Sequence, residues 1–294
     1  MNREDQYSCY DVSREQLQCI YEGIDMCQLF AISADRPVNL KRELKDFFRG
    51  SFVHKHGWGY ADFGGRRVYV KRETTPAYVS EAARKLANEG EPFQNAFFHL
   101  RYATIGAVEY ENSHPLTAMD VMGRSWTIIH NGTIFDGAKT DPYFYKQFGG
   151  TDTERLLLYI IDLINERSLA ARVPLTEKER FEVVDKAFRE VAPGNKLNVI
   201  LSDSEVFYVH GNSRSGSRIL GEYGKNDFLY RSTTDGVALF CTVPLDPQGW
   251  EPIPINTVLA YKDGKQIYGG KPHGYEYIES DDDIKYLYLG VSAL

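Results

Sequence analysis

Hydrophobic positions in this chain come in short runs of four to eight residues far more often than at the three-to-four spacing of a helix. Residues 29–33, 59–63, 68–71, 96–103, 126–130 and 237–242 are rich in aromatic and branched side chains and predict strands. Residues 197–209 predict an antiparallel hairpin turning at Asp203, Ser204 and Glu205. Residues 257–268 predict a second, turning at Asp263 and Gly264.

Helical spacing shows in two places. Thr151 with Glu154 three residues on has the form of a capped start, and Leu156, Leu157, Leu158, Ile160, Ile161, Leu163 and Ile164 behind it are apolar nearly all round. Such a helix has no face for water and is expected to be buried. Thr176 and Glu179 open another helix, with Phe181, Val184, Phe188 and Val191 on one face and a stop at Pro193 and Gly194; it should lie on a sheet. Clustered strands with grouped helices favour an α+β fold over a doubly wound parallel sheet, and no G-x-G-x-x-G follows a strand.

No repeat, low-complexity tract or linker divides the chain, although residues 1–26 are more acidic and polar than the rest of it. The expectation is one domain over 27–294 behind an N-terminal extension. Within that extension residues 13–21 predict a short helix with Leu17, Ile20 and Tyr21 on one side. Near the other end Asp281, Asp282 and Asp283 read as a solvated turn.

Composition then excludes whole classes. Hydrophobic residues make up 43% and charged residues 26% of 294, values of an ordinary globular protein that builds a core. A net charge of -7 argues against coating nucleic-acid phosphates, which takes a basic face. No apolar run approaches the roughly 20 residues of a membrane span, and the first 26 residues lack the apolar core of a signal peptide, so the expected place is the cytoplasm. Free thiols are expected at Cys9, Cys19, Cys27 and Cys241, because a chain this long does not need disulfides. With no C-x-x-C and no H-E-x-x-H, no metal site is expected.

Candidate chemistry begins at Met26-Cys27-Gln28-Leu29-Phe30-Ala31-Ile32-Ser33, where a methionine stands directly before a cysteine that opens a strand. If Met26 is removed, Cys27 gains a free α-amine whose pKa near ~7.7–8.0 lets it take and return a proton at neutral pH. A cysteine alone is as well read as a small buried hydrophobe. Its companions change that reading: His99-Leu100-Arg101-Tyr102-Ala103-Thr104, Glu111-Asn112-Ser113-His114-Pro115-Leu116, His130-Asn131-Gly132 and Gly150-Thr151-Asp152-Thr153-Glu154.

With these segments in this order, the sequence resembles the class II glutamine amidotransferases, N-terminal-nucleophile hydrolases, from Cys27 to about Tyr268. It is most similar to their stand-alone members through His54-Lys55-His56-Gly57-Trp58-Gly59 and through Val243-Pro244-Leu245 followed by Trp250. The resemblance implies a four-layer αββα sandwich with two antiparallel sheets. It also implies hydrolysis of the side-chain amide of glutamine through a Cys27 thioester, with no cofactor and with ammonia either released or given to a separate synthase. Arg101 would hold the substrate α-carboxylate and Asp152 its α-ammonium, while Asn131 and the Gly132 N–H would form an oxyanion hole. These residue types suit those tasks: a guanidinium binds a carboxylate through two parallel hydrogen bonds, and an aspartate at a helix start stays ionised.

Each residue also has a plainer reading. Arg101 could serve a surface ion pair, Asn131-Gly132 a type I′ turn and Asp152 a helix first turn, while His54, His99, His114 and His130 read as structural. Two positions depart from the family pattern, His56 where stand-alone members usually have aspartate and Gln28 where many class II enzymes have glycine. The altered His56 segment brings in a second substrate class, γ-glutamyl conjugates of larger amines. Residues 1–26 would block the amine if retained, so the expectation is a mis-assigned start, Met26 removal or a cleaved propeptide. If they stay, a catalytically silent glutamine-binding module is the alternative.

Overall fold

The structure is a computed structural model that describes residues 27–65, 67–213, 228–246 and 249–292. The helix expected over residues 13–21 lies outside them. Among the described residues thirteen strands form two sheets. One sheet contains β1 (Gln28–Asn39), β2 (Trp58–Asp62), β3 (Tyr69–Glu73), β4 (Pro92–Leu100), β9 (Tyr230–Thr234), β10 (Val237–Cys241) and β11 (Glu251–Pro252), in the order β11-β9-β10-β1-β4-β2-β3. The other contains β5 (Leu116–Met119), β6 (Ser125–Thr133), β7 (Lys196–Ser202), β8 (Phe207–His210), β12 (Leu259–Lys262) and β13 (Lys265–Gly269), in the order β13-β12-β8-β7-β6-β5. Every pairing within the two sheets is antiparallel.

Strand periodicity explains the layering. Successive side chains point to opposite faces, so Leu29 and Ala31 of β1 pack between the sheets with Phe97, Ile129 and Ile200. Phe30 and Ile32 point the other way, onto α1 (Lys41–Arg49) and α2 (Glu81–Glu89) through Leu44, Phe47, Phe48 and Leu86. On the outer face of the second sheet Ile128, Val199 and Tyr208 meet α3 (Asp152–Ala171) and α4 (Glu177–Val191) through Leu156, Ile160, Val184 and Phe188. Central strands buried on both faces are thus covered by helices, and the result is the four-layer αββα sandwich of an α+β fold.

The helix starts are made as their sequences suggest, with one difference. Thr176 and Glu179 form a reciprocal capping box on α4. On α3 the Thr151 side chain accepts from the Glu154 N–H, but the Glu154 carboxylate accepts instead from the N–H groups of Phe148 and Gly149, both at 2.8 Å. It holds the preceding loop rather than closing a box. Asp281, Asp282 and Asp283 are not a turn: they are the first turn of α5 (Asp281–Ser292), where carboxylates complement the positive end of the helix.

Candidate active site

Cys27 precedes β1 at one end of the sandwich. Gln28 pairs with Leu100, and Leu100 with Trp58, so the residues just beyond these strand ends, Cys27, Arg101 and Gly57, come together there. The same alternation that sends Leu29 between the sheets sends Cys27 there too. Facing it is Asn131 of β6, on the inner face with Ile129, and the Asn131 Nδ2 donates to the Cys27 carbonyl oxygen. Asn131 and Gly132 therefore lie inside a strand, paired with Asn198 and Leu197, and not in a turn. The Asn131 Oδ1 is buried without a hydrogen-bond partner.

The Cys27 sulfur is held by main chain. It lies 3.3 Å from the Tyr102 carbonyl, to which the thiol donates, and 3.4 Å from the Tyr102 N–H, which donates to it. Burial pushes the thiol pKa up, opposed by the Tyr102 backbone bond and the Arg101 charge and reinforced by the negative charge of Asp152. At neutral pH the sulfur is a thiol and needs a base to become a nucleophile. Tyr102, whose main chain holds the sulfur, adjoins Arg101, and Asp152 accepts from the Ile134 N–H two residues past Gly132, so both charges stand at this end of the sandwich.

Arg101 is buried, and among the described residues it makes no surface ion pair. Its Nη1 donates to the Ala107 carbonyl at 2.9 Å and its Nη2 to those of Gly106 at 2.9 Å and Ile105 at 3.2 Å, which curls residues 101–107 around the guanidinium. A guanidinium has five N–H groups, so these three bonds leave donors for a carboxylate. Its own main chain is tied to the 56–57 segment through Arg101 N–H to Gly57 O at 2.8 Å and His56 N–H to Arg101 O at 3.0 Å. His56 Nδ1 accepts from the Ala103 N–H at 2.9 Å, and its ring lies 5.0 Å from that of Tyr102. The residue that departs from the family pattern thus supports the loop that encloses the sulfur.

Asp152 is the first residue of α3, buried, with Oδ2 accepting from the Ile134 N–H at 2.7 Å and Oδ1 from the Thr153 N–H at 2.8 Å. A carboxylate has about four lone-pair sites, and acceptor capacity remains for an ammonium. Gly132 is fixed by crowding: a Cβ there would stand 2.0 Å from the Lys196 carbonyl and 2.4 Å from His130 Nε2. His130 donates from Nε2 to that carbonyl at 2.9 Å, which leaves Nδ1 to accept from the Thr153 hydroxyl at 3.0 Å. Burial lowers the pKa of His130 and of the contacting pair His99 and His114, 3.2 Å apart, and so favours the neutral imidazole in each.

Cys27, Arg101, Asn131, Gly132 and Asp152 are therefore brought together at one end of the sandwich. Tyr102 and Asn112 stand in segments that carry the family likeness, but their sequence assigns neither a role: a main-chain contact leaves no residue signal, and Asn112 joins residues 107 and 150 only in the fold. A cavity of about 1000 Å³ lined by Phe63, Met119, Arg124 and Glu205 lies at the opposite end of the sandwich and holds none of these groups. Among the described residues no cluster of three or more His, Cys, Asp or Glu could hold a metal, and no helix is long and apolar enough to cross a membrane. Cys27 and Cys241 are free.

Two antiparallel sheets packed face to face between layers of helices define an αββα class of fold. The sequence profile of the family described as glutamine amidotransferases class-II matches residues 26–221, and the chain belongs to that family. A Haemophilus influenzae protein provisionally named a glutamine amidotransferase is 26% identical over 257 residues, 82% of this chain and 86% of its own length. The crystal structure of a predicted glutamine amidotransferase from Pseudomonas aeruginosa superposes with a TM-score of 0.54 at 20% identity, over 82% of this chain and all of the other. Glutamine phosphoribosylpyrophosphate amidotransferase from B. subtilis gives a TM-score of 0.57 at 14% identity, over 84% of this chain and 50% of that one. The last two share the fold.

Proposed function

We propose that this protein hydrolyses the side-chain amide of glutamine to glutamate and ammonia, with Cys27 as nucleophile. The observation that carries the reading is that Cys27, Arg101, Asn131 and Asp152, drawn from four separate segments, stand at one end of the sandwich: Asn131 bonds the Cys27 carbonyl, Tyr102 next to Arg101 holds the sulfur, and Asp152 bonds the Ile134 N–H just past Gly132. Arg101 binds the α-carboxylate and Asp152 the α-ammonium, which orients the side-chain carbonyl toward the sulfur. The Cys27 α-amine, once free, takes the thiol proton as sulfur attacks the carbonyl carbon. Asn131 Nδ2 and the Gly132 N–H stabilise the oxyanion, a contribution of about 2.7–4 kcal/mol per donor to the transition state. The amine returns the proton to the departing nitrogen as the C–N bond breaks, ammonia leaves, and water cleaves the thioester to give glutamate. The raised thiol pKa makes the amine necessary.

The ammonia is either released or passed to a separate synthase. A second reading keeps the chemistry and changes the leaving group to a larger amine; His56, packed on Tyr102 beside the sulfur, is the observation that favours it. The experiment is a panel of glutamine and γ-glutamyl amides offered to protein beginning at Cys27, with Cys27→Ala as control. Glutamate and ammonia from glutamine support the first reading, and preference for a substituted amide supports the second. Inertness toward the whole panel leaves a glutamine-binding module.

A further inference from the structure

Arg101 and Asp152, the two groups proposed to hold the amino-acid head of the substrate, sit on separate segments, one after β4 and one at the start of α3. One buried side chain joins those segments. Asn112, 2% exposed, donates from Nδ2 to the Ala107 carbonyl at 3.0 Å and accepts at Oδ1 from the Gly150 N–H at 2.6 Å. The Ala107 carbonyl is the one that Arg101 Nη1 reaches at 2.9 Å, and Gly150 adjoins Thr151, the cap of the helix that begins with Asp152.

We propose that Asn112 is a positioning residue that sets the separation between the Arg101 guanidinium and the Asp152 carboxylate. Through that separation it sets the preference for substrates carrying both an α-carboxylate and an α-ammonium. The proposal rests on the glutamine reading of the site. The chemistry of the side chain fits the task closely. A carboxamide offers a donor and an acceptor back to back, so it can tie a carbonyl on one side to an N–H on the other. Aspartate would set an oxygen against the Ala107 carbonyl, and alanine would cut both links, leaving the Ala107 carbonyl to Arg101 and the Glu109 N–H while the Gly150 N–H loses this acceptor. The second loop is shaped to admit it: a Cβ on Gly149 would stand 2.5 Å from Asn112 Oδ1 and 3.1 Å from the Glu111 carbonyl. Each loop has its own tether as well, Arg101 for residues 105–107 and Glu154 for 148–149, so the loops persist without Asn112 while their spacing relaxes.

The test uses protein beginning at Cys27, with Asn112→Ala and Gly149→Ala, the second pressing on the same contact from the other side. The proposal expects KM for glutamine to rise about tenfold, with kcat within about twofold, as for loss of binding shared by ground and transition states. The preference for glutamine over 4-carbamoylbutanoate, which lacks the α-ammonium, and over 4-aminobutanamide, which lacks the α-carboxylate, should narrow by a similar factor. Alkylation of Cys27 by iodoacetamide, which has no amino-acid head, should keep its rate. Unchanged KM in both variants, or kcat and alkylation collapsing together with KM, would overturn it. If wild-type protein binds glutamine without hydrolysing it, the hydrolase reading fails while the Kd for glutamine takes the place of KM and still judges Asn112.

Discussion

Acid should destabilise this fold well before its carboxylates are titrated. His54 and His210 are fully buried, and burial first, then the neighbouring His56 and His273 respectively, push each pKa from 6.5 down to about 3. A base whose pKa is lower in the folded state binds protons better when unfolded. The stability it contributes is complete above 6.5 and is lost as pH falls from 6.5 toward 3. From pH 7.5 to 5.5 each such histidine costs about 1.4 kcal/mol, so the two together cost about 3 kcal/mol. His99, His114 and His130 are shifted the same way, chiefly by burial, and act in the same direction. Against a total of about 5–15 kcal/mol for a typical domain this is a large share. Urea unfolding monitored by tryptophan fluorescence at the two pH values measures it. A difference under about 1 kcal/mol would refute the claim that these imidazoles are buried and neutral, because the linkage depends on the shift alone.

Three substitutions probe the site. Asn131→Ala removes a proposed oxyanion donor and should lower kcat for glutamine by about 10²–10³ with little change in KM, read by steady-state glutamate release. Gly132→Ala drives a methyl into the Lys196 carbonyl and the His130 ring; we expect loss of both activity and thermal stability, and unchanged melting would show that β6 and β7 can separate there. Arg101→Lys keeps the charge but loses the planar fork and its bonds to residues 105–107, so KM should rise at least about tenfold while the Cys27 alkylation rate changes little.

The sandwich was legible because its strands are short, aromatic and bounded by clear turns. The 197–209 and 257–268 hairpins turn where Asp203-Ser204-Glu205 and Asp263-Gly264 stand. Strand ends were less legible: β1 runs on to Asn39 through an irregularity between Ser33 and Val38, a stretch with no apolar alternation. α1 and α2 were not anticipated, although Leu44, Phe47 and Phe48 have helical spacing and Ser80 and Gly90 frame α2 as caps. The acidic triplet was misread because charge marks a helix first turn as well as it marks a solvated turn. The five site residues came from a family likeness, since nothing in the local sequence of Arg101 or Asp152 says that they share a pocket. The links between them, through Asn112 and the Tyr102 main chain, are tertiary and invisible to spacing.

The most direct measurement compares glutamate and ammonia release from glutamine by two forms of the protein, one beginning at Cys27 and one retaining residues 1–26. A peptide bond turns the Cys27 nitrogen into an amide that cannot accept the thiol proton, and the thiol pKa is raised by burial. The account predicts turnover by the first form and none by the second, with mass spectrometry confirming each N-terminus. Equal turnover by both forms, or none by the form with the free amine, would contradict it.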